Sequence, residues 1–467
     1  MTLLCEEAHH KKKHDVSTLT QRKIEKIKDT ATKMNIHLLP KSQKSSSSSS
    51  MASLLLIPII VISFLFLFSL SQGHSPVSFL IPVTKDASTL QYLTTLSYGT
   101  PLVPTKLVLD LGGSFLWLHC ASRNTPSSSS LTTPHRSLQC FTAKTHKSTN
   151  SFLSGPVEQH LYQPCQVFPE NSITGIIATE GELVEDLMAL QSAESKTIHE
   201  HQSRFTCSPT SLLHGLARGA RGMVGLARSR SSLPSQIFDN FSTQRKLTLC
   251  LSSSKGVLLL GNVPYESEIL KSLTFTPLVT SIPSQEYFIN VSSVKINGKR
   301  LSLDVSESNE QEGGGGGALT LISSIVPYTT MQSSIFDSFK KAFLDAAVSM
   351  NMTRVASVAP FELCFSSSKV GPAAPVVDLV LQSEMVKWSI HGRNSMVRVS
   401  HEVVCLGFLD GGENPKNSIV IGGYQLEDVL VQFDLATSMV GFSSSLLTKK
   451  TKCSYIKFGS SIPSESI

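Results

Sequence analysis

The sequence predicts a mostly β protein whose folded part consists of two similar halves. Charged residues make up only 16% of the 467 residues, and long helical patterns are few. Short apolar runs with glycine-rich turns between them recur along the chain and are typical of strands. Similar strand and turn signals occur twice, and the folded part is too long for one ordinary core.

The first half, residues 76–275, contains three strand signals in order. Residues 91–101, QYLTTLSYGTP, alternate apolar and polar residues and end in a turn. Residues 105–120, TKLVLDLGGSFLWLHC, run from an apolar strand through an aspartate and small residues into a second apolar run. Residues 219–229, GARGMVGLARS, place an apolar pair inside a glycine-rich turn. Each run has the composition of a buried strand.

The second half, residues 276–467, has parallel signals. Residues 286–303, EYFINVSSVKINGKRLSL, predict two strands around an Asn-Gly turn, which is a strong hairpin signal. GALTLISSIVPYTTM (317–331) and NSIVIGGYQLEDVLVQFDLATSMVGFS (417–443) have buried-strand composition with glycine punctuation.

One amphipathic helix is expected between these strands. Residues 333–351, SSIFDSFKKAFLDAAVSMN, carry apolar residues at helical spacing. The face that should pack against the core consists of Phe336, Phe339, Phe343 and Ala347.

The N-terminal region predicts secretion. Residues 54–70 form an uncharged apolar run, so we interpret residues 51–75 as a signal peptide that starts at Met51 and is cleaved near residues 71–75. The alternative is a signal anchor, because seventeen apolar residues are near the lower limit for a membrane span. Residues 1–50 are interpreted as a non-native or disordered leader.

The charge distribution argues against a nucleic-acid partner. Residues 1–50 contain ten Lys or Arg and five Asp or Glu, which accounts for most of the net charge of +6. The remaining 31 basic and 30 acidic residues nearly cancel. The folded part therefore has no basic face for nucleic acid.

Cysteine usage fits an extracellular protein. The eight cysteines beyond Cys5 predict four disulfides, with the pairing left open, and buried free thiols are the alternative. No cysteine or histidine spacing is typical of a metal site, so we expect no metal and no cofactor. Sequons at Asn240, Asn290 and Asn351 predict N-glycosylation. The eight cysteines are Cys120, Cys140, Cys165, Cys207, Cys250, Cys364, Cys405 and Cys453.

In the strand and turn stretches quoted above, the chain resembles the pepsin-like aspartic proteases. More narrowly, it is similar to the plant branch with extracellular dermal glycoproteins, basic seven-S globulins and inhibitors of xyloglucanases and xylanases. The most specific stretches are CSPTSLLHGLARGARGMVGLARSRSSLPSQ (207–236), NMTRVASVAPFELCF (351–365) and residues 418–443. The resemblance implies a bilobal, mostly β, pepsin-like fold with a cleft between two similar lobes.

The catalytic pattern of that family is incomplete in this sequence. Aspartic proteolysis needs two carboxylates that share a proton and activate a water. Asp110 matches one of them, but Leu111 stands where the family has a hydroxyl. Ser323, Ser324 and Ile325 stand where the second Asp-Thr/Ser-Gly belongs. We therefore predict a protease-like protein without acid proteolysis.

Two further features of the sequence bear on the catalytic pattern. Asp410 and Asp434 precede turn residues, and we interpret both as turns rather than as a replacement second acid. The stretch CQVFPENSITGIIATEGEL (165–183) has no clear counterpart of the tyrosine that closes over substrate in active members.

The resemblance implies a secreted cell-wall glycoprotein that inhibits microbial glycoside hydrolases of the xyloglucanase or xylanase class, as a monomer free of membrane after signal cleavage. Inhibitory members present arginines, and the matching positions here are Lys369 and Lys450. Lys449 and Lys452 flank Lys450. A lysine keeps the charge but lacks the planar fork of arginine. The alternatives are a seed storage or ligand-binding wall glycoprotein and an aspartic-type endopeptidase.

Overall fold

The computed structural model describes residues 77–120, 127–144, 163–195, 197–262, 269, 271–281, 284–301, 318–368 and 374–456. Contacts divide the chain into Met1–Gly73 and His74–Ile467, and the described residues all lie in the second unit. The predicted leader, the predicted signal peptide and Lys369 lie outside the described residues. Among the described residues, no helix is long and apolar enough to cross a membrane.

Most of the regular elements among the described residues are strands. Those of the first part are β1 (Phe79–Lys85), β2 (Tyr92–Tyr98), β3 (Val103–Asp110), β4 (Leu116–Leu118), β5 (Leu131–Thr132), β6 (Glu170–Asn171), β7 (Ile176–Ile177), β8 (Glu182–Gln191), β9 (Ile198–Cys207), β10 (Gly222–Gly225), β11 (Lys246–Cys250) and β12 (Lys255–Leu260).

The later strands are β13 (Thr274–Pro277), β14 (Phe288–Val291), β15 (Ser293–Ile296), β16 (Lys299–Leu301), β17 (Ala318–Ile322), β18 (Thr329–Met331), β19 (Arg354–Val355), β20 (Cys364–Ser366), β21 (Val377–Ser383), β22 (Val386–Ile390), β23 (Met396–Arg398), β24 (Val403–Leu406), β25 (Phe408–Asp410), β26 (Ile419–Ile421), β27 (Leu430–Asp434) and β28 (Met439–Phe442). The α-helices are α1 (Leu138–Lys144), α2 (Leu233–Phe241), α3 (Ser333–Ser349), α4 (Gly392–Ser395) and α5 (Gly423–Leu426).

The two halves contain the same strand arrangement, as the sequence predicts. In the order β2-β3-β10-β4-β9, successive neighbours pair antiparallel, parallel, antiparallel and parallel. The order β14-β17-β26-β18-β25 repeats that series of directions. Strands β3 and β17 therefore occupy equivalent positions, and their C-terminal ends are equivalent points of the fold.

A shared sheet joins the halves. The first repeat belongs to a 13-stranded sheet whose other end runs β13-β28-β27-β11-β12-β1. Strand β11 pairs antiparallel with β27 from the end of the chain, with Leu249 opposite Val431. Both residues are almost fully buried, at 1% exposure each. Burial of such apolar side chains stabilises the sheet across the two halves.

Two local predictions are confirmed. The predicted helix is α3, and its four core-facing residues are no more than 1% exposed. The predicted hairpin consists of β15 and β16, with Asn297 at φ 48° and Gly298 at φ 81° between them. Positive φ at both central residues matches the turn that Asn-Gly favours.

The eight cysteines form four disulfides, as predicted, and the structure supplies their pairing. The pairs are Cys120–Cys207, Cys140–Cys165, Cys250–Cys453 and Cys364–Cys405. The Cys250–Cys453 bond spans 203 residues and ties the C-terminal segment to strand β11.

Candidate functional site

Asp110 lies at the end of β3, beside Gly225 of the parallel strand β10. The preceding residues Leu107, Val108 and Leu109 are fully buried, so the strand brings the carboxyl into the protein interior. Asp110 itself is only 2% exposed. An ionisable group this deep is stable only with hydrogen-bond partners or a shifted pKa.

The Asp110 carboxyl has both. Its Oδ1 accepts a hydrogen bond from the Gly112 amide at 2.9 Å, and its Oδ2 accepts one from the Ser172 hydroxyl at 2.5 Å. Burial raises the pKa of Asp110 to about 6, the Ser172 and Gly112 bonds oppose that rise, and the charge of Glu286 adds to it. The group therefore titrates in mildly acidic solution.

Glycine at position 113 is a steric requirement of this arrangement. A Cβ on Gly113 would lie 2.8 Å from Asp110 Oδ2 and 2.9 Å from the Cα of Gly225. The second of these atoms is backbone and cannot move aside cheaply. With Leu111 and Gly112 in place of the usual hydroxyl residue and glycine, Gly113 still allows β3 and β10 to lie close together beside the carboxyl.

The equivalent point of the second half carries serines. The Ser324 hydroxyl donates to the Leu109 carbonyl at 2.8 Å and accepts from the Leu111 amide at 2.9 Å. The Ser323 hydroxyl, 9% exposed as a residue, accepts from the amides of Ile325 and Val326, each at 3.2 Å. The link between the two halves is therefore one-sided. Ser324 supplies a hydroxyl, whereas Leu111 has no side-chain hydroxyl and contributes only its backbone amide.

A short hairpin covers the Asp110 side. Strands β6 and β7 pair within the stretch in which the sequence shows no counterpart of the family's tyrosine. The side-chain Nδ2 of Asn171 donates to the carbonyls of Leu212 and His214, at 2.8 and 2.9 Å, which anchors the turn. The Trp117 indole donates to the Glu170 carbonyl at 3.1 Å. These bonds place Ser172 over the aspartate.

Glu286 is a second carboxylate near Asp110 that the sequence does not point to. A Cβ at Gly112 would lie 3.0 Å from Glu286 Oε1 and 3.6 Å from Asp110 Oδ1, so both carboxyls flank that position. The other Glu286 oxygen accepts from the Ser284 hydroxyl at 2.8 Å and lies 3.5 Å from Lys416 Nζ. Glu286 precedes β14 and occupies a different place from the family's second aspartate.

The two alternative aspartates are turn residues, as interpreted from the sequence. Asp410 is exposed and its Oδ1 accepts from the Gly412 amide and the Ser333 hydroxyl. Asp434 ends β27, and its Oδ1 accepts from the amides of Ala436 and Thr437 in the turn to β28. Each carboxylate satisfies local backbone donors, which is the ordinary role of Asp in turns.

Of the two predicted glycosidase-binding lysines, Lys450 is described. It is exposed and follows the 3-10 turn Leu446–Lys449, with a left-handed backbone at φ 56°. The other predicted lysine, Lys369, lies outside the described residues.

The sequons differ in their settings. Asn240 near the end of α2 and Asn351 just after α3 are exposed. Asn290 is partly buried on β14, opposite Leu319. Glycosylation at all three stays a prediction.

Two repeated strand arrangements, a shared sheet and an aspartate at one of two equivalent strand ends define a bilobal, pepsin-like protein of the aspartic-protease class. Solved structures agree: that of edgp has a TM-score of 0.74 and 43% identity, covering 84% of this chain and 100% of that one. The structure of basic 7S globulin from soybean has a TM-score of 0.68 and 34% identity, covering 79% and 97%.

Sequence comparisons narrow the class to a family. The models described as xylanase inhibitor N-terminal and xylanase inhibitor C-terminal match residues 92–262 and 286–444. Probable aspartic proteinase GIP2 of Nicotiana benthamiana is 44% identical over 82% of this chain and 93% of its own length. Basic 7S globulin 2 of Glycine max is 36% identical over 84% and 95%. The chain belongs to the xylanase-inhibitor family of pepsin-like proteins.

Proposed function

We propose that this chain is a secreted pepsin-like protein without protease activity that inhibits microbial glycoside hydrolases of the xyloglucanase or xylanase class. The observation that carries the proposal is the pair of equivalent strand ends. Asp110 ends one strand with its Oδ2 bonded to Ser172, and Ser323 follows the other. A serine hydroxyl cannot share the proton that the two-carboxylate mechanism requires.

The family supplies the partner class. Glycoside hydrolase clefts carry two catalytic carboxylates, and a cation placed between them would pair with both. Lys450 is exposed, and no ion pair found among the described residues includes it. Lys369 is the second cation of the proposal. An ammonium meets a carboxylate as a point charge, which makes the contact less directional than that of arginine.

The proposed setting is outside the cell, in the cell wall, after removal of residues 51–75. There the protein acts as a glycosylated monomer without a metal or cofactor and without nucleic-acid or membrane partners. N-terminal sequencing of the secreted chain should give a start near residues 72–76. A start within residues 1–50 would contradict the proposed processing.

The test is stoichiometric inhibition. The secreted chain is titrated against a microbial xyloglucan endoglucanase and a xylanase at mildly acidic pH. Lys369→Ala and Lys450→Ala should weaken inhibition of the affected enzyme, whereas Lys341→Ala, an exposed lysine of α3, should leave it unchanged. Unchanged inhibition by both Lys369→Ala and Lys450→Ala would remove these lysines from the interface. Absence of inhibition by the natural chain would overturn the inhibitor proposal.

Protease activity is tested separately. The chain should not cleave a denatured protein substrate between about pH 3 and 5, where aspartic dyads work. Cleavage that pepstatin blocks would overturn the non-protease part of the proposal and favour the endopeptidase alternative, which the name of the GIP2 relative suggests.

A storage or ligand-binding role is the second candidate. Relatives named basic 7S globulin and gamma conglutin favour it. Accumulation confined to seeds, together with no inhibition of either glycosidase, would support this candidate over the first.

A further inference from the structure

The described C-terminal segment presents a surface of three lysines and one tyrosine. We define the lysine–tyrosine surface as Lys449, Lys450, Lys452 and Tyr455. Lys449 and Lys450 are exposed, Lys452 is half-buried, and Tyr455 is 66% exposed. The ion pairs found within the described ranges include none of these lysines.

The backbone beneath this surface is fixed. Leu446, Cys453 and Ile456 are buried, at 0%, 3% and 8% exposure, and pack in one apolar cluster. The Cys250–Cys453 disulfide anchors the segment to β11. Asp428 adds two bonds, accepting from the Leu446 amide at 2.7 Å with its carbonyl and from the Cys453 amide at 3.0 Å with its side chain.

The side chains are also arranged. The Lys450 amide donates to the Leu447 carbonyl at 3.2 Å, which closes the 3-10 turn and sets the direction in which Lys450 leaves it. Lys452 Nζ lies 4.5 Å from the centroid of the Tyr455 ring, a cation–π contact. The Asp428 carboxyl near Lys452 is only 5% exposed, so the outer surface is cationic. One ammonium group therefore lies against an exposed aromatic ring, and the exposed Lys449 and Lys450 precede it on the same anchored segment.

We infer that the lysine–tyrosine surface binds an anionic polysaccharide whose sugars carry carboxylates. The apolar face of a sugar ring packs on an aromatic ring, while ammonium groups pair with uronate carboxylates. A repeating polymer presents both groups at regular intervals, so weak contacts at one ring are reinforced by rebinding along the chain. An acidic enzyme cleft would also offer carboxylates, but the exposed ring of Tyr455 favours packing against the face of a sugar.

The probe is polygalacturonate, with neutral dextran as its comparison, at about pH 6, where the uronates are ionised. Affinity electrophoresis of the full chain should show retention by polygalacturonate and none by dextran. Lys452→Ala and Tyr455→Ala should each weaken retention about five-fold. Tyr455→Phe should retain it, and added salt should weaken binding because the contacts are ionic. Circular dichroism of each variant checks that it is folded.

Matched controls separate the site from bulk charge and from exposed aromatics. Lys341→Ala removes an exposed lysine from α3, and Phe141→Ala removes an aromatic residue of α1 that is 65% exposed. Neither should change retention. Equal retention by dextran, no retention by polygalacturonate, or a loss with Lys341→Ala as large as with Lys452→Ala would overturn the inference.

The glycosidase assay distinguishes this inference from the proposed function. Tyr455→Ala should lose polysaccharide binding and keep any inhibition of the endoglucanase. If Tyr455→Ala instead abolishes inhibition and keeps polygalacturonate retention, the surface belongs to an enzyme partner and the inference is wrong. Absence of inhibition by the natural chain, with polygalacturonate retention intact, overturns the inhibitor proposal alone.

Discussion

The Ser172 hydroxyl donates a hydrogen bond to Asp110 Oδ2 at 2.5 Å, although 62 residues separate the two along the chain. In an active dyad that oxygen faces water and a second carboxyl. Here a hairpin residue occupies its hydrogen-bonding position and Asp110 is 2% exposed. The carboxyl therefore serves to hold the β6–β7 hairpin in place.

Ser172→Ala should raise the pKa of Asp110 above about 6, because the lost bond favours the ionised carboxyl. We expect a rise of about one unit, measured by NMR titration of carbon-labelled aspartate carboxyls. The control is Ser211→Ala, an exposed serine in the neighbouring 3-10 turn Thr210–Leu213. A pKa that is unchanged in Ser172→Ala would show that the hydroxyl does not stabilise the charge.

Asp110→Asn should flatten the dependence of stability on pH. The folded-state pKa of about 6 exceeds the unfolded value near 4, so the stability that Asp110 contributes is complete below about pH 4 and is lost as pH rises through 6. Asparagine does not ionise, so the fall in the free energy of unfolding between pH 4 and 7 should shrink by about 2–3 kcal/mol.

Urea unfolding at several pH values measures this difference. Asp345→Asn, which changes an exposed carboxyl of α3, should leave the pH profile as it is in the natural chain. A profile for Asp110→Asn that matches that of the natural chain would mean that folding does not shift the pKa of Asp110.

Local pattern predicted the parts of the fold that depend on neighbouring residues. The α3 face was readable because its four apolar residues follow the helical period. The β15–β16 hairpin was readable because Asn297 and Gly298 adopt positive φ more easily than other residues. Asp110 and Ser323 were located by the resemblance of the surrounding stretches to a family, and the repeated strand arrangement places them at equivalent ends.

The remaining parts of the site depend on contacts between distant segments. Ser172 lies in a hairpin with no distinctive motif. Glu286, whose charge raises the pKa of Asp110, lies in the loop just before β14. The disulfide pairing also depends on the tertiary fold, since eight cysteines allow 105 combinations. None of these contacts has a signal at a fixed sequence spacing, so single-sequence reasoning could not supply them.

A buried ion pair between the two halves should be costly to break. Lys85 ends β1, and its Nζ lies 2.7 Å from Glu427 Oε1. The two side chains are 12% and 10% exposed. The Tyr92 hydroxyl donates to the same oxygen at 2.9 Å. Lys85→Met leaves the carboxylate buried without its cation. We expect a loss of about 3 kcal/mol in the free energy of unfolding, measured with urea.

The exposed pair Lys340–Glu362 is the control for that measurement. These side chains are 32% and 46% exposed, and Lys340→Met should cost less than about 1 kcal/mol. The double variant Lys85→Met with Glu427→Leu should recover part of the loss, because it leaves no unpaired charge. A double variant that is as unstable as the sum of its single variants would show that the ion pair itself is unimportant.

His201 on β9 should make the protein less stable in acid. Its ring packs edge-on against Phe241 with centroids 5.1 Å apart, and neither ring nitrogen has a hydrogen-bond partner among the described residues. Burial lowers the pKa of His201 to about 4, so the folded state favours the neutral ring. The stability it contributes is present above about pH 6.5 and is lost as pH falls towards 4.

His201→Gln should reduce that loss by about 1–2 kcal/mol, after allowance for partial exposure. Urea unfolding at pH 7 and pH 4.5 gives the comparison, with His214→Gln as the exposed control. Equal acid sensitivity of His201→Gln and the natural chain would show that His201 is protonated without cost.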